Sequence, residues 1–263
     1  MELWLIGIGT GNPDHLTLQA VKAINGADLI LIPCKGEEKA ALADLRRAIC
    51  AEMLTNPRTI LSEFDLPVRA AEGDYLNGVT DWHDAIAESW RAAIGRHPQA
   101  MKVALLIWGD PALYDSSLRI AERLSQHVDL SVHVVPGIMS PQALTAAHGI
   151  PMNQLGAPFL VTTGRRLRDH GWPDGVDTLL VMLDGECSFQ TLKPDGISIW
   201  WGAYLGMPQQ IVDAGPLAET GPRIVAARKA ARARHGWIMD IYLLRRGPGT
   251  GMPGQGSGAG AGP

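Results

Sequence analysis

The first 32 residues alternate between strand-like and helix-like patterns, and this alternation constrains the fold more than any other feature of the chain. An apolar run over 3–8 is followed by aliphatic residues at helical spacing over 17–25, which end at Asn-Gly, a common helix stop. A second apolar run occupies 28–32. Because a helix that joins two strands of one sheet leaves them parallel, the sequence predicts an α/β fold whose N-terminal part holds a parallel sheet.

The alternation continues to residue 246, so we predict two α/β domains and a tail. Pro136 and Gly137 break the periodicity, and we place the boundary there, with an N-terminal domain over 1–136 and a C-terminal domain over 137–246. Residues 247–263 are mostly Gly, Pro, Ala and Ser and cannot bury a core, so we expect a disordered tail. Further strands are predicted over 102–107, 131–135, 158–162, 177–183, 197–201 and 237–244. Further helices are predicted over 38–54, 80–95, 116–128, 141–148, 186–193, 207–213 and 219–235, and we interpret the arginines of the last helix as a solvated face.

Composition argues against several classes of function. The formal net charge is −4, so we expect no nucleic-acid partner, and no run of 18 apolar residues is present, so we expect no membrane span. The N-terminus lacks the features of a signal peptide, and three widely spaced cysteines, Cys34, Cys50 and Cys187, suit reduced thiols. We therefore expect a cytoplasmic protein. The chain has no Cys-x-x-Cys pair and no His/Cys cluster with metal-ligand spacing, so we predict no metal site.

The segment GIGTGNPDHLT, residues 7–17, directly follows the first strand and raises the question of what its glycines hold. A dinucleotide loop needs G-x-G-x-x-G and a downstream acidic residue, whereas Asn12 stands at the third glycine position and the second strand ends in Pro-Cys-Lys. A P-loop would need Gly-Lys-Ser or Gly-Lys-Thr, which does not follow. Taken alone, the segment is best explained as a tight turn, with Asp14 or Thr17 capping the next helix.

Two further loops rich in glycine and proline also follow predicted strands. WGDPALYDSS occupies 108–117, and VVPGIMS occupies 134–140. The carboxyl ends of the strands in an open α/β sheet surround the crevice that binds the ligand. The three loops therefore indicate a shared site without naming its ligand.

Together these loops resemble the signatures of the tetrapyrrole methylases, the S-adenosylmethionine-dependent enzymes of corrin and sirohaem synthesis. The first loop is similar to the family's G-x-G-x-G-x-x-x-x-L-T, and Gly109-Asp110-Pro111 is similar to its G-D-P. VVPGIMS, followed by Gly-Ile-Pro at 149–151, is similar to its third signature. Each motif is weak by itself, but three in order at these distances are specific, and the resemblance covers nearly all of 3–246.

The resemblance implies a two-domain tetrapyrrole methylase fold (class III methyltransferase), with S-adenosyl-L-methionine bound between the domains, in a homodimer. The blocks KGEEKAAL, WGDPALYDSS, TTGRRL, VMLDGE, WWGAYLG and GWIMDIYLLRR are similar to a deacetylating branch of the family. This implies methylation of precorrin-5 at C1 with release of the extruded acetyl group as acetate. Two alternatives stay open: a tetrapyrrole methyltransferase that does not deacetylate, and a protein that binds corrinoid intermediates without turnover.

The resemblance also implies cofactor contacts in the first glycine loop, in the G-D-P loop, after P-G-I, at the end of the strand TLLVML and along a late strand. The residues at these positions are Thr10, Trp108, Gly109, Asp110, Leu113, Met139, Ser140, Leu183, Trp201 and Gly202. Three of them depart from the common pattern: Thr10 replaces a proline, Trp108 a glycine and Leu183 a methionine. The aromatic rings of Trp200, Trp201 and Tyr204 either stack on a ligand or belong to the core.

On this interpretation the first loop lines a trough for the tetrapyrrole instead of cradling a phosphate. Gly9 and Gly11 would let the backbone approach a large flat ligand closely. A substrate with many carboxylates requires cationic side chains, and we expect Lys35 and Arg165 to supply them. The neighbouring arginines, 166 and 168, are explained equally well as a solvated loop.

Three residues are candidates for the chemistry. Methyl transfer from a sulfonium depends mainly on positioning, whereas deacetylation needs donors for an oxyanion and benefits from a base. We single out Asp110, Tyr114 and Asp184 as catalytic candidates. Each has a structural alternative: a cap on the next turn for Asp110, a loop turn shared with Asp115 for Tyr114, and a helix cap shared with Glu186 for Asp184.

Overall fold

The structure is a computed structural model that describes residues 1–34, 40–67 and 75–247. The chain divides into two compact units, unit 1 with residues 1–143 and 206–208, and unit 2 with residues 144–205 and 209 onward. The division into functional domains after residue 136 stays a prediction. The tail expected over 247–263 lies, apart from its first residue, outside the described residues.

Unit 1 contains a five-stranded sheet in the order β3-β2-β4-β1-β5, and every neighbouring pair is parallel, as predicted. Its strands are β1 Glu2–Gly7, β2 Leu29–Cys34, β3 Ile60–Asp65, β4 Lys102–Ile107 and β5 Ser131–Val135. The helices up to residue 148 are α1 Leu18–Gly26, α2 Ala40–Met53, α3 Tyr75–Gly95, α4 Ser117–Ser125 and α5 Ser140–His148. Thr17 caps α1, because its hydroxyl accepts a hydrogen bond from the Ala20 N–H at 3.0 Å.

The sheet of unit 1 is buried on both faces, as is usual for parallel sheets. Side chains such as Leu3 and Leu5 pack with α3 and α4 in one core cluster. Ile6 and Ile30 belong to a second cluster, with side chains of α1 and α2. The continuous apolar runs of the sequence therefore reflect strands covered on both sides.

The sheet of unit 1 opens between β2 and β4 at its carboxyl end, and we call this place the β2–β4 split. Pairing of β2 with β4 ends at Leu31 and Leu105. Beyond that point β2 stays paired with β3 as far as Cys34, and β4 stays paired with β1 as far as Ile107. The connection from β2 leads to β3 on one side, and that from β4 leads towards β5 on the other. Opposite connections of this kind mark the ligand crevice in open α/β sheets.

Unit 2 contains a mixed sheet in the order β6-β7-β10-β8-β9, in which β6 and β7 are parallel and the other pairs antiparallel. Its strands are β6 Leu160–Thr163, β7 Thr178–Met182, β8 Ile197–Ala203, β9 Ile211–Pro216 and β10 Asp240–Arg246, and its helices are α6 Gly164–His170 and α7 Leu217–His235.

Two predicted helices of unit 2 are wrong. The segment predicted as helix over 207–213 leads into β9, whose residues alternate between half-buried and exposed along β8, a period of two. The helix predicted over 186–193 shortens to a 3-10 turn, Ser188–Thr191. No helix among the described residues is long and apolar enough to cross a membrane.

Candidate active site

The three loops rich in glycine and proline come together in unit 1 at the carboxyl ends of β4, β1 and β5. Gly9 and Gly109 form an isolated antiparallel bridge, with N···O distances of 2.8 and 3.3 Å. A Cβ atom on Gly137 would lie 2.0 Å from the Gly109 carbonyl oxygen, and one on Gly7 would lie 2.6 Å from the Gly137 nitrogen. The glycines are therefore needed because the loops pack backbone against backbone.

The Asp110 carboxylate ties two of these loops together. Its Oδ1 accepts a hydrogen bond from the Ala112 N–H at 2.8 Å, which is the expected cap on the following turn. Its Oδ2 accepts a second hydrogen bond, from the Gly137 N–H at 2.9 Å. Charge-assisted bonds of this kind are strong, so Asp110 positions the P-G-I loop against the G-D-P loop. Direct contact of Asp110 with cofactor or substrate stays a prediction.

The glycine loop packs against Trp108 and Met207. Gly11 has a φ of +110°, and a Cβ atom there would lie 3.0 Å from the Met207 Cγ and 3.2 Å from the Trp108 ring. Thr10 is buried, and its hydroxyl lies 2.9 Å from the Nδ1 of His15, a contact that sequence analysis missed although His15 belongs to the same motif. Contact of Thr10 with the cofactor stays a prediction.

The loop after the G-D-P motif carries an exposed, strained tyrosine. Tyr114 has a φ of +50° and is 45 % exposed. A left-handed backbone in a non-glycine residue is unusual and is found disproportionately at functional sites. Leu113, Met139 and Ser140 are all half-buried, and the Met139 N–H donates to the Gln142 side chain at 3.1 Å. Their predicted contacts with the cofactor stay predictions.

In unit 2, Leu183 presents its apolar side chain at the carboxyl end of β7. It is 66 % exposed and has a φ of +53°. An exposed leucine in a strained conformation gains little for stability, so this geometry suits a residue that covers a ligand.

The Asp184 carboxylate is fully engaged within unit 2. It accepts hydrogen bonds from the N–H groups of Glu186 and Ser188, from the Ser188 hydroxyl, and from the Tyr242 hydroxyl at 2.6 Å. The same contact raises the pKa of Tyr242 well above its usual value, with burial as the larger cause. This arrangement favours the capping alternative for Asp184 over a role as base.

Arg228 corrects the interpretation of the α7 arginines as a solvated face. Its side chain is only 12 % exposed and pairs with Asp240, with an Nε···Oδ2 distance of 2.8 Å. It also donates to the carbonyl oxygens of Asp184 at 2.6 Å and Gly185 at 2.9 Å. Arg228 therefore holds the turn that follows Leu183. The sequence did not reveal this because the partners lie 12 and more than 40 positions away.

The aromatic residues of β8 and its following turn include two core residues. The Trp201 ring is fully buried, and its Nε1–H donates to Asp240 at 2.8 Å. Tyr204 is buried as well, and its hydroxyl donates to the Trp237 carbonyl. In unit 2, these two rings therefore belong to the core and do not offer a face on which a ligand could stack. Gly202 is also confined, because a Cβ atom there would lie 2.5 Å from the Leu205 side chain.

The two predicted substrate cations have different outcomes. Arg165 lies exposed in the first turn of α6, a short helix that Thr163 caps, and its contact with the substrate stays a prediction. Lys35 lies outside the described residues. Within the described ranges, no group of three or more His, Cys, Asp or Glu side chains is placed to hold a metal ion.

A sequence model of the tetrapyrrole (corrin/porphyrin) methylases matches residues 2–221, and the chain belongs to this family. A precorrin-6A synthase [deacetylating] from Sinorhizobium sp is 48 % identical over 250 residues, which cover 94 % of this chain and 95 % of that protein. A precorrin-2 C(20)-methyltransferase from the same source is 33 % identical and covers 63 % of this chain and 69 % of that protein.

Solved structures share the fold of this chain. The structure of a cobalamin synthesis related protein (CobF) from Corynebacterium diphtheriae has a TM-score of 0.78 and 37 % sequence identity, and covers 94 % of this chain and 99 % of that one. A uroporphyrin-III C-methyl transferase from Thermus thermophilus, complexed with S-adenyl homocysteine, has a TM-score of 0.56 and 19 % identity over 93 % of this chain and 97 % of that one. The predicted family fold is confirmed, while the placement of the cofactor stays a prediction.

Proposed function

We propose that this protein is an S-adenosyl-L-methionine-dependent methyltransferase that methylates precorrin-5 at C1, releases the acetyl group as acetate and forms precorrin-6A. The observation that carries the proposal is the 48 % identity, over nearly the whole of both chains, with the deacetylating precorrin-6A synthase. The precorrin-2 relative is less similar and covers less of this chain, so it supports the family more than an alternative substrate.

The described residues fit the proposed cofactor. When bound, S-adenosyl-L-methionine supplies an electrophilic methyl group. In unit 1, the closely packed backbone around Gly109 and the half-buried side chains of Leu113 and Met139 are proposed contacts. In unit 2, Leu183 offers the exposed apolar surface that an uncharged part of the cofactor would cover. The backbone of β8 around Gly202 is proposed to contact the adenine.

Positioning is the main contribution of the chain to methyl transfer, because the macrocycle carbon is already nucleophilic and the sulfide is a good leaving group. Asp110 acts in this step by holding the G-D-P and P-G-I loops together.

Deacetylation makes a further demand, because water must add to a carbonyl carbon. Of the three catalytic candidates, Asp110 and Asp184 use their carboxylates to accept hydrogen bonds from the protein. Tyr114, on the loop that follows Asp110, is 45 % exposed, and we assign to it the contact with the substrate. A phenol hydroxyl can donate to a developing oxyanion.

The proposal includes the substrate contacts, the location and the assembly implied by the family resemblance. Arg165 receives a substrate carboxylate, and Gly9 and Gly11 line the tetrapyrrole trough. The enzyme is a cytoplasmic homodimer. Light scattering of the purified protein tests the dimer, and a mass close to one 28.2 kDa chain would contradict it.

The function is tested by anaerobic incubation with S-adenosyl-L-methionine and either precorrin-5 or precorrin-2, with acetate and S-adenosylhomocysteine measured together. The proposal predicts equal amounts of the two products from precorrin-5 and neither from precorrin-2. Formation of S-adenosylhomocysteine without acetate would indicate a tetrapyrrole methyltransferase that does not deacetylate its substrate. Binding of precorrin-5 without either product would indicate a carrier.

A further inference from the structure

An arginine that sequence analysis did not single out lies in the β2–β4 split of unit 1. Arg46, in the second turn of α2, donates from Nε to the carbonyl oxygen of Leu106 at 2.8 Å. Pairing between β2 and β4 has already ended at Leu105, so this carbonyl has no strand partner on that side. The guanidinium therefore supplies the hydrogen bond that a neighbouring strand would otherwise donate to this carbonyl.

Within the described part of the chain, the Arg46 guanidinium forms no direct ion pair with a carboxylate. Its other hydrogen bond goes from Nη1 to the Leu42 carbonyl at 3.0 Å, one turn back on its own helix. Among the described residues, no carboxylate oxygen lies within 4.0 Å of its nitrogens, and Nη2 has no hydrogen-bond partner. Asp115 and Cys34 are near enough to act on the charge, but Asp115 uses its Oδ1 to cap α4 by accepting from the Ser117 N–H.

The surroundings of the Arg46 guanidinium disfavour its positive charge. Burial lowers the pKa of Arg46, because desolvation disfavours its charged form. The two carbonyl oxygens that accept hydrogen bonds from Arg46 are neutral. They satisfy two of its donors but do not balance its positive charge. Elsewhere in unit 1, by contrast, Arg47 and Arg91 are matched by Glu63 and Glu88. Arg46 is half-buried, and a partly desolvated cation without a carboxylate partner becomes more favourable when an anionic ligand supplies one.

We propose that Arg46 binds a carboxylate of the tetrapyrrole substrate and so orients the ring at the β2–β4 split. This inference rests on the proposed function, because that function supplies a substrate rich in carboxylates. The split satisfies the topological condition for a ligand crevice, and Arg46 brings to it a planar donor that can pair with a carboxylate. Arg46 is thus a residue that determines binding and specificity, separate from the residues proposed to contact the methyl donor.

The test compares binding of a metal-free corrin polycarboxylate with binding of its methyl ester by absorbance titration. The variants are Arg46→Gln, Arg46→Lys and the control Arg91→Gln, which removes an exposed arginine that pairs with Glu88. Loss of a charge-assisted pair worth about 1.5–3 kcal/mol corresponds to about 10- to 150-fold weaker binding of the free acid by Arg46→Gln. We expect little change for the ester, an intermediate effect for Arg46→Lys, and wild-type binding of both ligands by Arg91→Gln.

The outcomes separate a ligand contact from a structural role. Equal weakening of acid and ester, or unchanged binding of both, in folded Arg46→Gln would overturn the proposal. If Arg46→Gln does not fold, the test uses Arg46→Lys and compares its dissociation constants for the free acid and for the ester. A ratio of the two constants equal to that of the wild type overturns the proposal. S-adenosyl-L-methionine affinity should stay within about twofold of wild type in every folded variant.

The proposed function fails on a different observation. A wild-type protein that forms no precorrin-6A from precorrin-5, but whose preference for the free acid depends on Arg46, would refute that function and keep the anion site. A wild-type protein that binds neither ring would overturn both.

Discussion

Replacing Asp110 by alanine should impair function much more than it impairs global stability. The change removes the acceptor for two backbone N–H groups, those of Ala112 and Gly137, at 2.8 and 2.9 Å. Each bond to an ionised acceptor contributes at least about 1.5 kcal/mol, so the two loops lose about 3 kcal/mol or more of positioning energy. This corresponds to a decrease in kcat/KM of about 150-fold or more, with weaker cofactor binding.

Asparagine provides the critical comparison at this position. Its amide oxygen can accept one of the two hydrogen bonds, but its NH₂ group cannot accept the other. Asp110→Asn should therefore lose about tenfold in kcat/KM, less than Asp110→Ala. Asp81→Ala, which removes an exposed aspartate of α3, is the matched control and should behave as wild type.

The assay combines steady-state kinetics, calorimetric titration with S-adenosyl-L-methionine and thermal unfolding. Folded Asp110→Ala with kcat/KM and cofactor affinity both within about threefold of wild type would refute the positioning role. A different result would contradict it in another way: if Asp110→Asn is as inactive as Asp110→Ala while cofactor affinity is unchanged, the carboxylate acts directly in the reaction.

Three other perturbations probe unit 2. Arg228→Gln leaves Asp240 buried without its ion pair and should lower the free energy of unfolding by about 3–5 kcal/mol in urea titrations. Arg223→Gln, which removes one side of an exposed pair, is the control and should lower it by less than about 1 kcal/mol. Equal effects of the two variants would refute the structural role of Arg228. The raised pKa of Tyr242 means that the unfolded chain loses this proton at a lower pH than the folded one. Stability from this group is therefore fully present below about pH 10 and is lost as the pH rises above it, and unfolding measured from pH 8 to 11 should show a shallower decline for Tyr242→Phe than for wild type; identical slopes would contradict this. Leu183→Gly relieves a left-handed backbone at φ +53° and removes an exposed side chain, so the protein should be as stable as wild type or more stable by about 1 kcal/mol, while the cofactor dissociation constant rises about tenfold. A large loss of stability, or unchanged cofactor affinity, would argue against this role for Leu183.

Most elements of the fold could be predicted because their apolar patterns are local. The run Lys-Val-Ala-Leu-Leu-Ile coincides with β4, because a strand buried on both faces is apolar along its whole length. The strand β3 was missed because it lies at the edge of the sheet, where only Phe64 of its six residues is buried. The strand β9 was mistaken for a helix, since it is also an edge strand whose pattern depends on pairing with β8.

In the candidate site, too, features that depend on local sequence could be predicted, and contacts between residues distant in sequence could not. The glycine-rich loops could be found because close backbone packing requires residues without side chains, as at Gly137. The roles of Arg46 and Arg228 were missed because their partners are distant in sequence, and a lone arginine in a helix pattern reveals neither burial nor contacts. The bond from the Gly137 N–H to Asp110, 27 positions away, was hidden for the same reason.

The most direct test of the central claim is the mass of the ring formed from precorrin-5 and S-adenosyl-L-methionine with a trideuterated methyl group. If this protein couples methylation to deacetylation, every product ring carries one trideuterated methyl group and has lost its acetyl group, with one acetate released for each ring. A ring that gains the labelled methyl group and keeps its acetyl group, or loses acetyl without gaining label, would contradict the account.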